Sequence, residues 1–142
     1  MLINEQVTLC PARQVYAKEL STTYGSLAFN QFFINDFEGA IESSDKGLEQ
    51  IGKFTENDWL YTNLALGYLL TGKYKTAEPI YREYKDKMYT DKRNSFKRGF
   101  LEDFRDLEDA GVFKNLSETI LNDIAKIKVM LNEPSNKIPS TR

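Results

Sequence analysis

The sequence contains no histidine and a single cysteine, Cys10, among its 142 residues. Without histidine the chain lacks the commonest general base and metal ligand of proteins, and every Ser-His or Cys-His catalytic pair. One cysteine forms neither an internal disulfide nor a zinc site of several thiolates. We therefore predict a protein that is not an enzyme and that carries no cofactor and no metal.

Long apolar runs and a strong net charge are also missing. No stretch approaches the ~18 apolar residues of a membrane span, and the first residues lack the basic start and apolar run of a signal peptide. The formal net charge of -2 draws the chain neither to nucleic acid nor to a membrane. We expect a cytoplasmic protein without membrane contact, with an N-terminal tail over 1–10 and a disordered C-terminal tail over 133–142.

Proline and glycine are scarce, with four and eight residues, which favours long helices over many short strands. Apolar residues recur at helical spacing from Pro11 to Glu133. Pro11 suits the first turn of a helix, and Thr55 is predicted to be an N-cap, with Asp58 in the matching position of a capping box. The predicted helices cover 11–34, 37–51, 56–71, 74–88, 96–110 and 113–131.

The six predicted helices form three pairs, and each pair has a tight turn at Asn35, Gly72 or Gly111. All three residue types tolerate the left-handed backbone conformation that ends a helix abruptly. The aromatic residues that follow these turns are 37 and 39 residues apart. Two helices per period of this length indicate a helical repeat, and the 34-residue helix–turn–helix unit is the nearest in length.

The second pair resembles a tetratricopeptide repeat (TPR). A bulky residue, Leu, a small residue, Tyr, Gly, an aromatic, Ala and another aromatic follow at the steps of that family: Tyr61, Leu64, Ala65, Tyr68, Gly72, Tyr74, Ala77 and Tyr81. The first and third pairs match less fully. The resemblance implies an all-α, helical-hairpin solenoid of about three TPR-like units over 11–132, wound as a right-handed superhelix. The segment "FLEDFRDLEDAG" is also similar to the ends of larger bacterial multidomain proteins that carry such repeats.

In TPR arrays the first helix of each unit lines a concave groove that holds a peptide or a partner helix. By register, the resemblance assigns this groove the partner-binding residues Phe29, Phe32, Phe33, Trp59, Leu66, Leu69, Leu70, Arg98 and Arg105. Because most of these are apolar, the implied ligand is a protein or peptide with an apolar face, and the implied role is a scaffold or accessory one. Two other interpretations stay open: the apolar residues pack against neighbouring helices, or a second copy of the chain occupies the groove.

Two charged segments suggest further functions. Residues 73–98 contain nine Lys or Arg against four Asp or Glu, interleaved with aromatics, so a nucleic-acid-binding helical repeat is the alternative function, although we disfavour it. The acidic residues Glu102, Asp103, Asp106 and Asp109 recur at helical spacing in the segment that follows. With no histidine nearby, we interpret them as a solvated helix face.

Overall fold

The computed structural model describes residues 11–51 and 56–134. Over these residues the chain forms six α-helices and no β-strand. The helices are α1 (Pro11–Phe33), α2 (Phe37–Ile51), α3 (Leu60–Leu70), α4 (Tyr74–Tyr84), α5 (Phe96–Asp109) and α6 (Glu118–Leu131). The predicted all-α class and number of helices are confirmed for this part of the chain. The N-terminal tail with Cys10, the N-cap Thr55, and residues 135–142 of the C-terminal tail lie outside the described residues.

The three predicted turn residues all adopt the left-handed conformation. Asn35 has a φ of 65°, Gly72 of 82° and Gly111 of 84°. Glycine reaches this region without the steric cost that a Cβ brings, and asparagine is one of the few other residues that enter it readily. The turns after α1, α3 and α5 are therefore determined by local sequence.

Three helix boundaries differ clearly from the prediction. Helix α3 begins at Leu60 and not at 56, because residues 56–59 form a turn and Trp59 occupies the N-cap position. Helix α4 ends at Tyr84, because residues 85–95 form a compact connection in which Met88 and Ser95 make an isolated bridge. Helix α6 begins only at Glu118, since the Ser117 hydroxyl caps it by accepting a hydrogen bond from the Ile120 N–H at 3.2 Å. The residues between Gly111 and that cap form a short 3-10 helix, Val112–Asn115.

Helix α3 lies at the centre of the molecule and contacts α1, α2, α4, α5 and α6. It is apolar around its whole circumference, as expected for a helix surrounded by others. Ala65 of α3 and Ala77 of α4 are 0% exposed, as are Ala28 and Ala40 of the first pair. Small residues at these positions let the helix axes approach closely. None of the described helices combines the length and the apolar character needed to cross a bilayer.

A chain of aromatic rings joins α3, α4 and α5. Tyr61 stacks on Tyr84 with ring centroids 4.9 Å apart, and Tyr84 lies 4.6 Å from Phe96. Phe100 continues the chain from α5 and meets the buried Tyr81 edge-on at 4.6 Å. Such offset and edge-to-face pairs each add roughly 0.5–1.5 kcal/mol beyond the area they bury. These contacts hold α5 against the central helix.

Candidate functional site

A cleft of about 490 Å³ opens between α1, α3, α5 and the connection 85–95. The three helices are the first members of the three predicted pairs. Polar ties hold them in place around the cleft: the Asn63 amide on α3 donates to the Gly25 carbonyl on α1 at 3.1 Å. Just before α3, the Asp58 carboxylate accepts hydrogen bonds from the backbone N–H of Thr90 at 3.0 Å and from the Thr90 hydroxyl at 2.7 Å. The cleft walls are therefore joined to one another by hydrogen bonds.

One wall of the cleft is aromatic and consists of Phe29, Trp59 and Tyr89. Two glycines make room for it. A Cβ on Gly25 would overlap the Trp59 ring, and a Cβ on Gly99 would overlap the Tyr89 hydroxyl. Glycine at these two positions lets both rings lie directly against a helix backbone.

Asn57 fixes the orientation of the Trp59 ring. Its side-chain oxygen accepts from the Trp59 indole N–H at 3.1 Å, and its amide donates to the Thr22 hydroxyl at 2.9 Å and to the Lys18 carbonyl at 3.1 Å. Asn57 is only 4% exposed, so this bridge from α1 to Trp59 is shielded from competing water. The indole is thereby positioned by a side chain that itself lies behind the cleft.

Apart from Gly99, the lining residues that α5 contributes are acidic: Glu102, Asp103 and Asp106. The Glu102 carboxylate accepts a hydrogen bond from the Arg98 guanidinium at 3.1 Å. The Asp106 carboxylate lies 3.9 Å from the Arg105 guanidinium. Asp103 forms no ion pair in the described part of the chain; the charges that act on it come from Asp106 and Glu102, both acidic. The described residues include no group of three or more His, Cys, Asp or Glu placed to hold a metal ion.

Burial raises the pKa of Asp103 to about 8, and the neighbouring charges of Asp106 and Glu102 add to the rise. A hydrogen bond with Thr62 acts in the opposite direction and lowers the pKa of Asp103. Burial, together with the Asp103 charge, also raises the pKa of Tyr89, which packs against α5 at Gly99. From α1 the cleft receives the uncharged Ser26 and Asn30, and from the connection the cation Arg93. Near neutral pH a large fraction of Asp103 therefore keeps its proton.

The raised pKa of Asp103 predicts a pH-dependent stability. The folded pKa of about 8 exceeds the usual 3.8, so the folded state binds the proton more tightly and stability falls as pH rises between these values. Asp103→Asn stays neutral, so at about pH 9 we expect it to exceed the wild type in unfolding free energy by ~1–3 kcal/mol. Denaturant titrations at several pH values measure the difference, and no imidazole titrates in this window because the chain has no histidine.

The exposed Asp109, on the same helix, provides the control for this prediction. Asp109→Asn removes the same charge but should leave the pH dependence of the wild type in place. If Asp103→Asn and Asp109→Asn follow parallel curves from about pH 5 to about pH 9, the proposed shift at Asp103 is wrong.

Gly25→Ala tests the close contact between α1 and Trp59. Alanine normally stabilises a helix interior by ~0.5–1 kcal/mol relative to glycine. Here we expect the opposite sign, a loss of ~1–3 kcal/mol, because the added methyl displaces the indole ring. Trp59 is the only tryptophan, so its emission spectrum reports the displacement directly. Thr23→Ala, at an exposed position of α1, should leave the spectrum unchanged; an equal change in both variants contradicts the close packing.

The structure separates the sequence-predicted groove residues into four groups. Phe29 and Trp59 line the cleft. Four others belong to the core and are at most 2% exposed: Phe32, Leu66, Leu69 and Leu70. Phe33 is 37% exposed and lies beside Phe29, with ring centroids 5.1 Å apart. Arg98 and Arg105 lie outside the cleft and line a second cavity of about 360 Å³. The apolar part of the predicted set is thus mostly core in this structure.

The sequence interpretation did not assign Tyr89, Arg93 and Asn57 to the groove, and it treated Glu102, Asp103 and Asp106 as a solvated face. The acidic spacing was visible in the sequence. Asp106 and Asp109 are exposed, as that interpretation expects, whereas Asp103 is partly buried and lines the cleft. The first part of the connection 85–95 was predicted to be helical. The sequence pattern therefore did not indicate that this connection lines the cleft.

Comparisons of the chain with protein-family models, with curated proteins and with solved structures give no match. The TPR resemblance therefore rests on the residues that carry it, and the role of the cleft is argued from its own geometry.

Proposed function

We propose that this chain is a TPR-like protein-interaction module, a three-unit solenoid in the cytoplasm whose cleft receives a segment of a protein partner. The observation that carries the proposal is the position of the cleft. It lies on the first helices of the three pairs, α1, α3 and α5, the side that the TPR resemblance assigns to the ligand. The role is that of a scaffold or accessory subunit without catalysis.

The shape and lining of the cleft support a short segment as the ligand. Its volume of about 490 Å³ falls within the range of ~300–1,000 Å³ typical of ligand pockets. Apolar faces lie beside amides and carboxylates that can orient a ligand, as in most specific sites. Asn30, Asn63 and Asn94 are the amides of the lining. A peptide with alternating apolar and polar side chains matches this surface better than a wholly apolar helix.

The nucleic-acid alternative depends on free aromatic faces in the segment 73–98, because bases stack on exposed rings. Tyr81 and Phe96 are 1% exposed, and Tyr84 is stacked on Tyr61. Much of the positive charge is also engaged: Arg82 pairs with Glu78, Lys87 with Glu83 and Arg93 with Asp91. Lys85 is buried and donates to the Met130 carbonyl at 2.9 Å. These contacts support a protein ligand over a nucleic acid.

A cleft-filling variant tests the proposal. Peptides are selected from a random display library on the immobilised chain, and their affinities are then measured by calorimetry for the wild type and for Ser26→Phe. Ser26 is an exposed residue of α1 in the cleft lining, so the added ring should block the cleft without entering the core. We expect affinity to fall more than about tenfold, since anchor contacts dominate binding energy. Thr23→Phe, which is exposed but outside the lining, is the matched control.

Peptides that bind Ser26→Phe as tightly as the wild type would exclude the cleft as the binding site. A solution mass equal to twice the chain, lost in Ser26→Phe, would instead identify a second copy as the ligand. Binding of an RNA oligonucleotide with steep salt dependence would favour the nucleic-acid alternative.

A further inference from the structure

Resting on the proposed function, we propose that the cleft recognises a basic side chain of the partner, a lysine or an arginine. Its aliphatic stem lies along Trp59 and Phe29, and its cationic head is placed among Glu102, Asp103 and Asp106. The charges of the lining carry this inference: three carboxylates face the cleft, and Arg93 is the one cation among the lining residues that the structure describes.

The existing ion pairs leave negative charge available in the cleft. Glu102 is partly neutralised by Arg98, and the Asp106–Arg105 pair is long and solvent-exposed, so it contributes little. Asp103 has acidic neighbours and no basic partner in the described part of the chain. An incoming cation would offset the charges of Glu102 and Asp106 and favour the ionised form of Asp103, whereas an anionic side chain would oppose both. Electrostatic complementarity of this kind determines which partners are accepted.

The aromatic wall already holds one guanidinium. Arg93 lies 5.8 Å from the Trp59 ring centroid and 5.4 Å from that of Tyr89, the distances of a cation–π contact. The Asp91 carboxylate holds Arg93 in place by accepting hydrogen bonds from the Arg93 backbone N–H at 2.9 Å and from the Arg93 guanidinium at 3.1 Å. Arg93 therefore shows which chemistry the wall favours, and Asp91 offsets the charge that would otherwise repel a second cation.

The size of the cleft agrees with side-chain recognition. About 490 Å³ holds one or two long side chains with part of their backbone, but not a complete helix. The lining also carries Asn30, Asn63 and Asn94, whose amide oxygens can accept from an ammonium or a guanidinium. A basic residue next to an apolar one in the partner would contact both the carboxylates of α5 and the aromatic rings of the cleft.

Trp59 makes the test direct, because it is the only tryptophan and lies in the cleft. The probes are blocked alanine pentapeptides with arginine, lysine, citrulline, leucine or glutamate at the centre, titrated while Trp59 emission is followed. Citrulline keeps the shape of arginine without its charge. We expect arginine and lysine peptides to give saturable changes, with citrulline about tenfold weaker, as for the loss of one charge-assisted hydrogen bond.

Charge-matched variants locate the binding. At about pH 9, where Asp103 is ionised, Asp106→Asn and Asp103→Asn should each weaken the arginine peptide about tenfold, while Asp109→Asn, which removes the same charge outside the cleft, should leave its affinity unchanged. Affinity in the wild type should also rise with pH through about 8, as Asp103 loses its proton. Asp103→Asn should abolish that rise.

Three outcomes overturn the inference. If leucine or glutamate peptides bind as well as arginine peptides, the cleft is not selective for cations, although the display experiment can still support the proposed function. If arginine binding weakens equally in Asp109→Asn and Asp106→Asn, the effect is one of net charge and not of this site. A random library that yields cleft-binding peptides without basic residues has the same consequence. Failure of the library to yield any cleft-binding peptide instead contradicts the proposed function itself.

Discussion

Replacing Phe100 by alanine should lower the free energy of unfolding by ~3–5 kcal/mol, the range for truncating a buried phenylalanine. Phe100 is 1% exposed, meets Tyr81 edge-on at 4.6 Å and lies 5.9 Å from Phe96. Its removal opens a cavity where α5 meets the rest of the molecule. Since single domains are stable by only ~5–15 kcal/mol, this one change removes a large share of the total.

Thermal and denaturant unfolding followed by circular dichroism measure the loss, and the melting temperature should fall by about 10 °C for a chain of this size. Phe33→Ala is the matched control, because Phe33 is the same residue type at 37% exposure. We expect its cost to stay below ~1 kcal/mol, within the range of surface substitutions. Equal losses from the two variants would show that α5 is not held by the aromatic chain.

The helices and turns of this fold were predictable because their causes are local. Gly72 and Gly111 adopt the left-handed conformation at the predicted positions. The early end of α4 was not predictable from helical periodicity, because it depends on backbone pairing between Tyr89 and Asn94 at 2.9 Å and on a positive φ of 61° at Lys92. Lysine carries no sequence signal for such a conformation.

The site was less accessible to sequence reasoning than the helices. Register along a repeat assigned Phe29 and Trp59 to the groove, and both residues line the cleft. It also assigned Leu66, Leu69 and Leu70 of α3 to the groove, whereas the cleft side of α3 carries Thr62 and Asn63 and the helix is enclosed by five others. Leu66, Leu69 and Leu70 are apolar, as residues of a binding groove often are, but they are buried in the core. Only the three-dimensional arrangement separates the two.

A pair of glutamine substitutions tests this separation of core and cleft. Leu66 is 1% exposed, so Leu66→Gln both removes an apolar side chain, at ~2–5 kcal/mol, and buries an amide without a partner, at ~1–3 kcal/mol more. Phe29 lines the cleft and is only partly buried, so Phe29→Gln should cost ~1 kcal/mol or less. Denaturant unfolding compares the two variants, and calorimetry with a cleft-binding peptide should show the lost affinity only in folded Phe29→Gln.

Leu66→Met controls for the polarity of the change, because it nearly conserves volume and should cost less than ~1.5 kcal/mol. If Leu66→Gln proves as mild as Phe29→Gln, then Leu66 is accessible in solution and the apolar groove expected from the sequence is real. If Leu66→Gln unfolds the chain while Leu66→Met does not, the leucines of α3 act only through packing. Recognition is then left to the cleft, whose lining combines the rings of Phe29, Trp59 and Tyr89 with the carboxylates of α5.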